Sequence, residues 1–79
     1  MHFTNFYDDH YEGGIQPIEV MQEQFTKEEL VGFLKGNILK YVCRLGKKDD
    51  PAKESAKIIR YAEWLQQALI GKKINPREE

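Results

Sequence analysis

This chain has almost nothing with which to staple itself together. Cys43 is its single cysteine, which excludes an internal disulfide. With only His2 and His10 beside it, a structural zinc site is also disfavoured. No apolar run approaches the roughly 18 residues that a bilayer-spanning helix needs, so no membrane association is expected. The first residues are polar and acidic, unlike a signal peptide, and a reducing, cytoplasmic setting is expected. Neither sign of charge is in excess: 12 Lys and Arg stand against 13 Asp and Glu, a formal charge of −1. That balance argues against bulk nucleic-acid binding, which wants a basic surplus, and leaves room for a local basic pocket. Chains of about this length bury only about 60% of the surface they expose when unfolded. Disulfides, metals and oligomerisation are the usual remedies. Only the last remains here, so a homo-oligomer is expected.

What is present divides into an N-terminal arm over 1–16, a single helical domain over 17–71 and a polar tail over 72–79. The arm carries Phe3, Phe6, Tyr7 and Tyr11, too aromatic for a solvated segment. A short helix is expected from Pro17, a favoured first-turn residue, to about Gln24, with Ile18 and Met21 as its apolar edge. A second helix opens at Thr26-Lys27-Glu28-Glu29, a capping box, and closes at Gly46. Its Leu34, Ile38, Tyr41, Val42 and Leu45 form a stripe that should face a core. Gly32 and Gly36 lie four apart and suit either tight helix packing or close approach of a ligand. A third helix starts at Asp50-Pro51, a cap and first-position proline, and stops at Gly71, beyond which the chain should fray. Two adjacent apolar stripes run along it, an arc wider than one partner helix needs. The expected fold is all-α: a short arm and helix, then an antiparallel pair of longer helices packed into a homo-oligomer.

Beside the apolar stripe of the second helix, Asn37, Lys40, Arg44 and Lys47 recur at steps of three and four. Cations and amides next to a core-facing stripe suit an anion. Lys53, Lys57 and Arg60 repeat the pattern on the third helix, with Tyr61 and Trp64 alongside. The two rows together would make a cleft with donors for phosphate and aromatic faces for a base, although a solvated charged face is the simpler reading of Lys53 and Lys57. There is no Walker-type loop, and Gly46-Lys47-Lys48 is only a fragment of one. His10 suits a general acid or base, a phosphate donor, or a turn histidine bound to local backbone. Glu19 and Glu23 form one helical carboxylate pair with no second pair to complete a magnesium site, so no metal is expected. Cys43, flanked by Val42 and Leu45, reads as a buried and inert thiol.

Two runs carry a family likeness: His10-Tyr11 through Gly14-Ile15-Gln16-Pro17-Ile18-Glu19-Val20, and Gly36-Asn37 through Lys40-Tyr41 to Arg44-Leu45-Gly46-Lys47. The chain resembles a small phage-encoded domain of unassigned function that is often labelled nucleotide-kinase-like. The likeness spans residues 10 to about 69. It implies ligand contacts at His10, Tyr11, Asn37, Lys40, Tyr41, Arg44 and Lys47, and an all-helical oligomer. Some relatives are credited with phosphorylating nucleoside monophosphates without a Walker loop, which would require ATP and magnesium. Where an acidic-Leu-Lys-Lys run is common, this chain has Glu54-Ser55-Ala56-Lys57, a departure on the closing helix.

The expected function is therefore nucleotide binding without a resident cofactor. Lys40, Arg44 and Lys47 would meet phosphate, Asn37 would hydrogen-bond sugar or base, and Tyr11, Tyr41 or Trp64 would stack. A protein of this size could sequester a signalling nucleotide of host defence. Two alternatives stand beside it: a nucleoside monophosphate kinase completed across subunits, and an adaptor holding a host protein through the wide apolar arc.

Overall fold

The computed structural model describes residues 15–77, and their fold is three helices. Helix α1 spans Pro17–Gln24, α2 spans Lys27–Arg44 and α3 spans Pro51–Leu69. Each begins where local chemistry satisfies its orphan N–H groups. At α1 the Glu19 carboxylate accepts from the Gln16 backbone N–H at 2.8 Å, with Pro17 in the first turn. At α2 Thr26 Oγ1 accepts from the Glu29 N–H at 3.1 Å, and Glu29 reaches back to the Thr26 N–H at 2.8 Å. At α3 Asp50 Oδ1 accepts from the Ala52 N–H at 3.1 Å. The exits are glycines: Gly46 and Gly71 both take φ +78°, a region closed to most side chains. After α3 the Gly71 N–H reaches Ala68 O and the Lys72 N–H reaches Gln67 O, the paired bonds of a Schellman closure.

Helices α2 and α3 form an antiparallel hairpin. Lys27 Nζ, at the start of α2, donates to Leu69 O at the end of α3. At the other pole the Glu54 carboxylate accepts from the Gly46 N–H at 3.3 Å and lies 3.9 Å from Arg44 Nε. The core is small: Ile18, Leu30, Leu34, Ala68 and Ile74, with Met21, Phe33, Tyr61, Trp64 and Leu65 packed against it.

Three expectations need correction. The chain does not fray after Gly71. Ile74 is 1% exposed, and the Gln22 side chain grips its backbone in both directions, Nε2 to Ile74 O and Ile74 N–H to Oε1, each at 2.8 Å. Arg77 Nη1 meets Glu19 Oε2 at 2.7 Å, and Arg60 donates to Pro76 O. One apolar residue among polar neighbours is enough to dock the segment when an amide satisfies the backbone it buries. Cys43 is exposed rather than buried, because its sequence neighbours Val42 and Leu45 themselves sit at the edge of the hairpin. The stripe of α2 is also only partly inward. Leu34 is buried and Ile38 and Tyr41 are half-buried, but Val42 and Leu45 remain exposed.

Gly32 and Gly36 have nothing within 4 Å of the position a Cβ would take, so packing among the described residues does not require them. No helix among the described residues is long and apolar enough to cross a membrane.

Candidate functional site

Helix α1 and the 72–77 segment lie against one side of the hairpin, and the two rows of cations emerge on that same side. Helical spacing places Lys40 and Arg44 on α2 and Lys57 and Arg60 on α3 about the seam between the helices. Three of the four converge on one ring. Lys40 Nζ is 4.9 Å from the Tyr41 centroid, Lys57 Nζ is 5.2 Å away and the Arg44 guanidinium 5.5 Å. Tyr41 stacks in turn on Tyr61, with centroids 5.8 Å apart and planes at 17°. Trp64 meets Tyr61 edge-on at 5.4 Å, and the Arg60 guanidinium lies 5.0 Å over the indole. Such contacts are worth about 0.5–1 kcal/mol each where exposed, so they pre-position the cations without consuming them.

Between these side chains is a cleft of about 320 Å³, lined by Tyr41, Ala56, Lys57, Arg60, Tyr61 and Trp64. A second, about 490 Å³ and lined by no charged side chain among the described residues, shares Tyr61 and Trp64 and is closed on its far side by Pro17, Ile18 and Met21. The aromatic pair is thus the common wall of a basic compartment and an uncharged one. Burial pushes the Tyr61 phenol up from its ordinary value of 10.0, with Tyr41 adding to the rise and Arg60 opposing it. At neutral pH it is a neutral donor and acceptor.

Glu54 is the residue that sequence reasoning undervalued. It is 0% exposed, spans from the Gly46 N–H to Arg44, and so fixes the hairpin turn and the arginine at once. Arg44 Nε and Glu54 Oε2 face each other beyond hydrogen-bond distance. A buried carboxylate with a single cationic neighbour is costly to disturb, because breaking the pair leaves charge behind in the protein. Arg60, treated in the sequence only as one cation of a row, is both a wall of the cleft and the tether of Pro76.

The residues expected to bind a ligand are distributed as follows. Tyr41, Lys40, Arg44 and Trp64 come together as described. Asn37 stands one turn before Tyr41 and its Nδ2 donates to Phe33 O at 2.9 Å, so its amide is turned into its own helix. Lys47 lies in the exposed turn, where its backbone N–H bonds Arg44 O. His10 and Tyr11 fall outside the described residues. Lys57, for which a solvated face was the simpler expectation, is exposed and also stands 5.2 Å from the Tyr41 centroid. Glu19 of the carboxylate pair is held by Arg77.

The described residues are thus an all-α domain: an antiparallel hairpin with a cation-ringed tyrosine and a short helix packed on one side. The chain belongs to a phage-associated family described as a protein of unknown function (DUF3310), whose model matches residues 7–63. No curated protein and no solved structure matches the chain. The matched stretch contains α1, α2 and the first two-thirds of α3, and with them every lining residue of the basic cleft except Trp64.

Proposed function

We propose that this protein binds a phosphate-bearing nucleotide in the basic cleft, and that it does so to sequester the ligand rather than to transform it. The observation that supports this most is the gathering of Lys40, Arg44 and Lys57 around Tyr41, at the mouth of a cleft walled by Tyr61 and Trp64. Phosphate would take the cations, and the base would lie against the indole, where aromatic stacking is worth about 1–3 kcal/mol. Lys47 would extend the basic rim, Asn37 would offer its oxygen to sugar or base, and His10 and Tyr11 would be further ligand contacts. A phage product of this kind would remove a signalling nucleotide of host defence from circulation, in the host cytoplasm, as a homo-oligomer.

The cleft volume lies at the small end of the roughly 300–1,000 Å³ range of ligand pockets, which suits a mononucleotide portion better than a long oligonucleotide. Titration calorimetry with a panel of linear and cyclic nucleotides tests the reading, followed by heat denaturation and chromatography of whatever is released. Binding with release of the intact nucleotide is expected. Lys57→Ala and Arg44→Ala should each weaken it about tenfold or more, since hydrogen bonds to charged groups contribute about 1.5–3 kcal/mol. Turnover of a nucleoside monophosphate with ATP and magnesium, abolished by Lys40→Ala, would replace sequestration by the kinase alternative. Absence of any nucleotide binding beside tight capture of a host protein would replace both by the adaptor.

A further inference from the structure

Among the described residues, only one of the hairpin's two sides is covered. Opposite α1, helical spacing places Ile38, Val42 and Leu45 on one face of α2, the last two exposed. Beside them α3 places Ile58, Ala62 and Leu69, with Leu69 53% exposed and Ile59 58% exposed at the edge. Nothing charged interrupts these two rows, in a chain that is 32% charged. We infer that this face packs against the same face of a second copy, the two hairpins forming a four-helix bundle.

Area, layering and charge lead to that occupant. Helices of 18 and 19 residues run for about 27 Å at about 1.5 Å per residue. Lying about 10 Å apart, they offer roughly 500 Å² in projection and more once side-chain relief is counted. That is of the order of the ~800 Å² that each partner contributes to a stable interface. A single layer of two helices with half-buried apolar side chains on its back completes its core by adding a second layer. Charge then sets the orientation. The contacts of Lys27 with Leu69 and of Arg44 with Glu54 fix the register of the hairpin and bring Lys35, on the α2 rim, level with Ala62 and Glu63 on the α3 rim. A two-fold axis parallel to the helices sets each α2 against the partner's α3, antiparallel, with Lys35 beside a partner glutamate on both edges. An axis across the helices would set lysine beside lysine and glutamate beside glutamate. The parallel axis is the self-complementary one.

This inference gives the proposed oligomer a face and stands whether or not a nucleotide binds. Light scattering coupled to size exclusion, on the full chain, tests it. Wild type is expected at twice the mass of the chain or a multiple of that. Ala62→Glu and Val42→Lys place charge on surface that is open in a single chain, so they leave far-ultraviolet circular dichroism unchanged and reduce the mass by half or more. Leu39→Lys, an equally exposed position on the edge of α2 remote from α3, leaves the mass as it is. Lys35→Glu should raise the dissociation constant severalfold, and adding Glu63→Lys should restore it. A wild type that stays at the mass of one chain at every concentration overturns the inference, whether the face is then covered by residues 1–14 or by another protein. So does an oligomer indifferent to Ala62→Glu and Val42→Lys.

Discussion

The two sides of the α2–α3 hairpin are built from the same helices and carry opposite chemistry. The side beneath α1 mixes aromatic rings, four cations and a buried glutamate, and its apolar residues are sealed by Ile18 and Ile74. The opposite side, among the described residues, is mostly aliphatic and exposed. Their difference shows how a short chain divides its labour. One side is finished by α1 and the 72–77 segment, which leaves a defined polar cleft, and the other carries aliphatic side chains without a partner among the described residues.

Equal chemical changes on the two sides should therefore have unequal effects. Ile74→Ala removes a fully packed side chain and should cost about 2–5 kcal/mol in denaturant unfolding. Ile59→Ala, measured at dilution where single chains prevail, should cost less than about 0.5 kcal/mol. Similar losses at both positions would erase the distinction. Glu54→Ala comes next on the covered side, at about 1–3 kcal/mol, because it strands the Gly46 N–H and the Arg44 guanidinium. It should also weaken nucleotide binding by letting Arg44 drift, and Glu54→Gln should restore more of the stability than of the affinity.

Thr26→Ala serves as a reference belonging to neither side. It removes one α2 cap and should lower stability by about 1 kcal/mol, read from the same unfolding curves. The smallest effect is a pH dependence at the closure of the covered side. The hydrogen bond from Arg77, and then that from the Gln16 N–H, hold the Glu19 carboxyl below its ordinary 4.5. A depressed carboxyl stabilises the folded state above its unfolded value, and that contribution fades as pH falls through the depressed one. The melting-temperature difference between wild type and Glu19→Gln should accordingly be present near neutrality and close on acidification below about 4.5. A difference that grows at low pH would contradict the pairing.

The helices were legible because their signals are local. Thr26 to Glu29, Asp50-Pro51, Gly46 and Gly71 each act within one turn, and all mark ends where the structure has them. The meeting of the cation rows was also legible, since Lys40, Arg44, Lys57 and Arg60 repeat at helical spacing on helices joined by a short turn. Glu54 was not, because its burial follows from the register between two helices, which no single-helix pattern records. Ile74 was hidden for a related reason. Its docking depends on Gln22, 52 residues away, and one isoleucine has no periodicity to read. Cys43 misled through its apolar neighbours, which face the open edge instead of the core.

The grip of Gln22 on Ile74 also sets an order of assembly. The α2–α3 hairpin can zip outward from the short turn through Gly46, beginning with the contact of Gly46 with Glu54 eight residues on, whereas the amide clamp joins residues 52 apart. Distant closures are entropically late, so the hairpin should form first and the clamp last. In native-state hydrogen exchange the Ile74 amide should open without the amides at the middle of α2, and at a lower free energy. Arg60, a wall of the basic cleft, would then lose its hold on Pro76 O whenever the 72–77 segment lets go, and the cleft would change shape without any movement of the hairpin.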